Sequence, residues 1–349
     1  MGAAAGSQLN GKVLITVQIN SGRVSVRKLK VAVIGGNNFG KVHLEILSSL
    51  DVDLLVYDRN EKVLEEDRKN YNASPYSSMA RAMEEADVVD IVLPHYLHRD
   101  AAVRAMEMGK HVLVEKPIAL NSSEGEEMIR VAKRTGLKFM VLENYFFEPP
   151  VKKACALIGE GRIGRVLGVR FTKIKRVDPT PWGCRQELMG GGAFIDDGIH
   201  LVDSFLNVGG NYAEVNAMRF NLHHSGMDGE DTLSATVRFS SGAFGSIIHS
   251  WAFDEVPSMP RLEILGTGGW ITEMPEHREK PRKFGNLLVN GKEIVFDPYN
   301  PFRTGIAGFL ESVSGDSDVP MPPEIALRDL IFVEKVYKSS PVIHRIARN

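Results

Sequence analysis

Two groups of residues have the types and spacing to move protons. Lys116 follows the apolar run His111-Val112-Leu113-Val114 and Glu115, and Pro117 fixes the chain on its other side. A lysine held at the mouth of a buried sheet can have its proton affinity lowered enough to exchange near neutral pH. The other group lies in "GGGAFIDDGIHLVD", Gly190 to Asp203. Its glycines let a ligand approach the backbone closely. Asp196 and His200 are spaced i, i+4 and share a face if the segment is helical. Asp203 follows His200 by three, and a carboxylate beside an imidazole orients the ring and raises its basicity. The same spacing also suits an ordinary helix start with Asp at the cap and His in the packing.

These residues need a scaffold that brings position 116 to position 200. From Leu29 the chain alternates between short β-branched runs and amphipathic helices. "KVAVIGG", "VDLLVYD", "DVVDIVLP", "KHVLVEKP" and "LKFMVLEN" read as buried strands, with "FGKVHLEILSSL", "EKVLEEDRKN", "SMARAMEEA", "HRDAAVRAMEMG" and "SSEGEEMIRVAKRTG" as helices. That pattern predicts a Rossmann-type, doubly wound parallel α/β sheet over 29–148, with ligands at the carboxyl ends of its strands. After Pro149-Pro150 the character changes. "VKKACALIGEG" is helical, and "IGRVLGVRFTKIKR", "TLSATVRFSSG", "AFGSIIHSWAF", "RLEILGTGG" and "WITEM" read as strands, several with period-two alternation. Residues 149–349 are therefore expected to form an α+β domain with a large, mainly antiparallel open sheet, used for substrate and for oligomerisation. Its last helix, opened by Pro322-Pro323, is expected to pack back on the first domain. Residues 1–28 are an extension in which two β-rich runs flank Asn20-Ser21-Gly22, a possible hairpin.

"VIGGNNFG" follows the first strand and opens a helix. It matches G-x-G-x-x-G with Gly35, Asn37 and Gly40, and Asn37 in the middle is tolerable because asparagine also adopts positive φ. The helix N-terminus offers N–H groups to a phosphate. Asp58 ends the second strand, where an acidic residue binds adenosine ribose hydroxyls and repels a 2′-phosphate, so NAD is favoured over NADP. Arg59 beside it keeps NADP open.

Composition narrows the partners. The chain has 349 residues, 43% hydrophobic and 25% charged, with a net charge of −2. That balance gives no broad pull toward nucleic acid or membrane. No apolar run approaches the roughly 20 residues of a membrane span, and the first residues lack a secretory pattern. Two cysteines, Cys155 and Cys184, suit a reducing compartment, so a cytoplasmic protein is expected. The pairs His95/His98 and His223/His224 lack supporting ligands, so no metal is expected.

The order of motifs resembles the Gfo/Idh/MocA oxidoreductases from about Leu29 onward. The matching pieces are "VAVIGGNNFGKVHL", "VYDRN", "DIVLPHYLHRDAAVRAMEMGKHVLVEKPIAL", "IGEGRIGRVLGVRF", "GGGAFIDDGIHLVD" and "LEILGTGGWI". The resemblance implies hydride transfer between nicotinamide C4 and a carbinol carbon of a sugar, polyol or cyclitol. It implies a cofactor set of Gly35, Asn37, Asn38, Phe39, Gly40, Asp58, Arg59, Leu93, Pro94, His95, His98, Glu115 and Lys116. Lys116, Asp196 and His200 match the family's catalytic positions. Oxidising an alcohol needs a base for its hydroxyl proton, and His200 is assigned that role, with Lys116 polarising the oxygen, though the two can be exchanged. Tyr145, Trp182 and Arg185 join Lys116, Asp196 and His200 as substrate-pocket candidates. Phe146 stands where the family often has arginine, which implies a remodelled pocket. A glycosidase that recycles bound NAD and a non-catalytic dinucleotide sensor are the alternatives. The partners expected are a carbohydrate-like small molecule and further copies of the chain, as a homodimer or homotetramer through the open sheet.

Overall fold

The computed structural model describes residues 15–16, 26–274 and 285–345. Near the start, β1 (Ile15–Thr16) pairs antiparallel with β2 (Val26–Arg27). The turn expected at Asn20-Ser21-Gly22 lies outside the described residues.

Six strands alternate with five helices in the first unit: β3 (Leu29–Ile34), α1 (Phe39–Ser48), β4 (Val52–Tyr57), α2 (Glu61–Tyr71), β5 (Ser74–Tyr76), α3 (Met79–Glu85), β6 (Val88–Ile91), α4 (His98–Glu107), β7 (His111–Glu115), α5 (Ser122–Thr135) and β8 (Phe139–Leu142). All pairings are parallel, in the order β5-β4-β3-β6-β7-β8. The central strands are buried on both faces, which is why they read as continuous apolar runs. Strand order reverses between β3 and β6, which opens a crevice at the strands' carboxyl ends. Lys116 and Glu143 immediately follow β7 and β8 at that edge.

The second unit runs α6 (Pro149–Gly159), β9 (Val166–Ile174), α7 (Gln186–Met189), α8 (Ile199–Gly209), β10 (Tyr212–Asn221), β11 (Thr232–Phe239), β12 (Phe244–Ser250), β13 (Leu262–Gly266), β14 (Gly269–Glu273), β15 (Leu287–Val289), β16 (Lys292–Ile294), α9 (Pro301–Gly315), α10 (Pro323–Ser339) and β17 (Ile343–Arg345). Its nine strands form one mixed, mainly antiparallel sheet, β16-β15-β14-β13-β9-β12-β11-β10-β17. Only β9/β12 and β10/β17 are parallel. In β11 burial alternates residue by residue, because one face carries α8 and α10 and the other does not. On the uncovered face Phe244 of β12 and Leu265 of β13, both opposite Gly168 of the intervening β9, and Trp270 of β14 are exposed, with Leu265 and Trp270 cross-strand partners.

Two late helices return to the first unit. α9 packs on α1, and α10 packs on α5 as well as α8. Glu334 of α10 accepts hydrogen bonds from the Ser122 N–H at 2.6 Å and the Ser122 hydroxyl at 2.9 Å, at the start of α5.

Candidate active site

The turn between β3 and α1 has the shape a dinucleotide phosphate needs. Gly35 has φ +105°, and a Cβ there would collide with the Val92 carbonyl. A Cβ on Gly40 would collide with the Gly35 carbonyl, so the helix can start this close to the strand only with glycine. No side chain caps α1, which leaves its N-terminal end to a ligand. Positive φ falls on Asn38 (+48°), not on Asn37 as the motif spacing suggests; the Asn37 side chain instead accepts the Asn38 N–H at 2.9 Å. Asp58 accepts the Gly36 N–H at 3.1 Å and the Asn60 N–H at 2.9 Å, so its carboxylate sits against the turn. Arg59 beside it is exposed, and Phe39 is half exposed at the helix start, near Phe302.

At the other end of the crevice, Lys116 meets the second unit. Its Nζ donates to the Asp196 carboxylate at 2.8 Å and the Asp196 carbonyl at 2.7 Å. His95 Nε2 lies 3.3 Å from the same carboxylate, and its Nδ1 is 2.9 Å from the Met189 carbonyl. Burial alone would raise the Asp196 carboxyl, but the Lys116 ammonium and His95 hold it well below the usual carboxylate range. Lys116 shows the reciprocal effect. Burial pulls its proton affinity down, yet Asp196 and Glu115 more than offset this, and the group is raised. Lys116 is therefore held as an ammonium, contrary to the expectation of a lysine tuned to exchange protons.

His200 does not take its carboxylate from its own helix. Residues Phe194–Gly198 form a π-helical turn before α8, which breaks the register on which the i, i+4 argument rested. The His200 Nδ1 lies 2.5 Å from Glu143 Oε1, while Asp203 points to Arg328 and Asn207. Burial, with Lys116 and Lys173 nearby, pushes the imidazole well below its ordinary value. The Tyr145 ring stacks on His200 at 4.6 Å. Lys173 Nζ and the Arg261 guanidinium lie 4.8 and 4.7 Å from that ring. Asp197, next to Asp196, turns the opposite way and binds Lys173 at 2.8 Å, Lys175 at 3.1 Å and His249 at 3.0 Å.

The three glycines make room for protein groups rather than for a ligand. A Cβ on Gly190 would lie 2.7 Å from the Leu120 carbonyl oxygen. One on Gly191 would lie 2.5 Å from the Tyr337 hydroxyl oxygen, and one on Gly192 2.6 Å from the Glu230 carboxyl carbon. The Tyr337 hydroxyl accepts the N–H groups of Gly192 and Ile195, each at 3.2 Å, and donates to Glu230 at 2.9 Å. Glu230 also accepts the Phe194 N–H at 3.1 Å. The turn that carries Asp196 is thus pinned from beneath by α10 and the segment before β11.

Known proteins share this plan. A family model described as an oxidoreductase family with an NAD-binding Rossmann fold, Gfo/Idh/MocA, matches residues 29–143, and the model of that family's C-terminal domain matches 151–272. Levoglucosan dehydrogenase of Pseudarthrobacter phenanthrenivorans is 28% identical over 73% of this chain and 76% of its own. For 1,5-anhydro-D-fructose reductase of Ensifer adhaerens the identity is 30%, over 66% of this chain and 70% of the relative. The chain belongs to the Gfo/Idh/MocA family. Among solved structures, an oxidoreductase from Thermotoga maritima superposes with a TM-score of 0.80 at 23% identity, covering 90% of this chain and 97% of its own. Levoglucosan dehydrogenase with NADH and levoglucosan gives 0.76 at 23% identity, over 90% and 98%. The chain is an oxidoreductase that uses a nicotinamide dinucleotide.

Within this family member the structure sorts the candidates. Lys116, Asp196, His95, His200 and Tyr145 come together, and Trp182 joins them edge-on to His95 at 4.9 Å. Leu93 and Pro94 lead into that cluster on the strand end after β6. Two candidates do not join. Arg185 turns outward to Asp228 at 3.1 Å and Glu187 at 2.9 Å, because both acids sit beside its short helix. His98 is buried, with its ring nitrogens 2.7 and 2.8 Å from the Leu93 and Pro117 carbonyls, so it braces two strand ends. Glu115 lies behind Lys116 and meets His43 Nε2 at 3.0 Å, while His43 Nδ1 meets Asp90 at 2.8 Å. Glu143, Lys173, Asp197, His249 and Arg261 are additional neighbours of the site that spacing does not reveal. Among the described residues no three His, Cys, Asp or Glu side chains converge as a metal site.

Proposed function

We propose that the chain is a dehydrogenase acting on a carbinol carbon of a sugar, polyol or cyclitol, with NAD favoured over NADP. The observation that carries this is the meeting of Lys116, Asp196 and His200 at the carboxyl edge of the sheet, the edge that also carries the phosphate-shaped turn after β3. Bound there, the nicotinamide would accept or return a hydride. The Lys116 ammonium, fixed by Asp196, is placed to polarise the substrate oxygen. His200 is kept neutral and has its Nδ1 on Glu143, which leaves Nε2 to take the hydroxyl proton. Asp196 and Tyr145 border the same space and hold hydroxyls. Asp58 beside the phosphate turn favours ribose hydroxyls over a 2′-phosphate.

The named relatives act on levoglucosan and 1,5-anhydro-D-fructose, and a third, D-glucoside 3-dehydrogenase of Escherichia coli, is 26% identical over 82% of this chain and 88% of its own. A spectrophotometric screen with NAD and NADP should therefore begin with anhydrosugars and glucosides, then aldoses, polyols and cyclitols. Hydride transfer from any of them to the nicotinamide supports the reading. Tight dinucleotide binding with no transfer across the panel overturns it.

We also propose a homodimer or homotetramer formed through the uncovered sheet face around Phe244, Leu265 and Trp270. Light scattering that gives a monomer at every concentration refutes this. The compartment proposed is the cytoplasm, because Cys155 and Cys184 are free thiols and no described helix is long and apolar enough to cross a membrane.

A further inference from the structure

Behind His200, away from the substrate side, lies a cluster of acids that the proposed chemistry does not use. Glu143, Asp203 and Asp329 are all buried. Glu143 follows β8, Asp203 is one turn beyond His200 on α8, and Asp329 is on α10. Arg328 binds Asp329 through Nε at 2.9 Å and Nη2 at 2.7 Å, and reaches Asp203 at 3.5 Å. Its Nη1 donates to Asn207 Oδ1 at 3.0 Å, and Asn207 donates back to Asp203 at 3.1 Å. Glu143 Oε2 is buried with no hydrogen-bond partner among the described residues, and Asp203 and Asp329 lie close enough to share a proton between them.

Three buried carboxylates near one guanidinium cannot all be ionised cheaply. We propose that Asp203, Asp329 and Arg328 set the proton affinity of the His200–Glu143 pair from behind, making them positioning residues for its acid–base role. The inference rests on the proposed role of His200. The pair holds one proton between Nδ1 and Oε1 at 2.5 Å and takes a second at Nε2, the one its acid–base role turns on. Negative charge behind the pair favours that second proton, and the Arg328 cation opposes it. Burial and Asp203 raise the Glu143 carboxyl in keeping with this, and burial with only partial relief from Arg328 raises Asp203 to about 6. The other charges facing these groups are Lys116, Lys173, Asp196 and Asp197 on the substrate side of His200, and Lys152 beside Asp203. The Cys155 thiol also faces Asp203.

Charge removal gives opposite signs, which a packing role does not. The His200 imidazole is followed by nitrogen NMR of the full chain across pH, with its signal identified by loss in His200→Asn. Asp203→Asn combined with Asp329→Asn removes the negative charge the two acids share and should weaken proton binding by the pair about threefold or more, lowering the midpoint. Arg328→Met should strengthen it by a similar factor, and Arg328→Lys should leave it near wild type. An unchanged midpoint, or shifts of one sign in all variants, overturns the proposal. If the buried Asp variants do not fold, the half-exposed Arg328 pair decides alone. Once a substrate is known, the pH midpoint of kcat/KM should move in the same sense as the NMR midpoint. A kcat/KM profile that stays fixed while the NMR midpoint moves leaves the tuning intact and removes His200 as the base.

Discussion

Gly191→Ala separates two reasons for a glycine-rich turn. If the glycines make room for substrate, an added methyl raises KM and leaves stability alone. If they make room for Tyr337, it destabilises the fold. Gly191 is not among the glycines with positive φ, so alanine carries no backbone penalty there. The cost is steric: the methyl carbon would lie 2.5 Å from the Tyr337 hydroxyl oxygen and 2.7 Å from Cζ. The ring cannot simply swing away, because its hydroxyl holds Gly192, Ile195 and Glu230. Overpacking of this kind costs about 1–3 kcal/mol, and each hydrogen bond given up adds about 1 kcal/mol. A loss of about 2–4 kcal/mol is expected, read as a lower urea midpoint at constant m-value. kcat should fall as well, since the same hydrogen bonds hold the turn that carries Asp196. Tyr337→Phe alone should cost about 1–3 kcal/mol, and the double variant should cost less than the sum, since both changes act on one contact. A Gly191→Ala protein with wild-type stability and a raised KM refutes the reasoning and returns the glycines to the ligand.

Lys116→Met should abolish hydride transfer while the dinucleotide dissociation constant, read by fluorescence, changes by no more than about threefold; retained turnover removes Lys116 from the mechanism. Asp58→Ser should weaken NAD and strengthen NADP, with the ratio of their dissociation constants moving by about tenfold, and an unmoved ratio dissociates Asp58 from cofactor choice. His43 is wholly buried; burial lowers its proton affinity, but Asp90 and Glu115 more than reverse this and raise it from 6.5 to about 10. Its contribution to stability is thus full below about 6.5 and is lost as pH rises through about 10. Urea unfolding should show wild type losing a few kcal/mol relative to His43→Gln across that window; parallel curves refute a protonated His43.

Much of the scaffold is legible because local chemistry writes it. β3, β4, β6, β7 and β8 are β-branched runs buried on both faces, and the helices between them carry apolar stripes. β5 is not legible, since Ser74-Pro75-Tyr76 is three residues with a proline, tolerable only at the sheet edge it occupies. β10 also goes unread, because its buried face includes the polar Arg219 and Asn221, and α9 goes unread although Phe302, Ile306, Phe309 and Leu310 form a helical stripe. The site is legible where a residue type stands at a strand end, as with Lys116, and illegible where partners come from afar. His200 and Glu143 are separated by 57 positions, so adjacency pointed to Asp203 instead. The π-helical turn at Phe194–Gly198 has no signature in spacing, yet it is what sends Asp196 and Asp197 to different lysines.

The grip of Tyr337 on the turn before α8 has a consequence for synthesis. The six-stranded sheet and its phosphate turn are encoded by residues 29–142 and leave the ribosome before the second unit. The turn that presents Asp196 waits for a tyrosine 145 positions after Gly192. Nascent chains stalled before α10 would carry a cradle for the dinucleotide and an unanchored second half of the site. Competence to transfer a hydride therefore arrives only once α10 has been made, so a chain terminated before it would bind cofactor without consuming it.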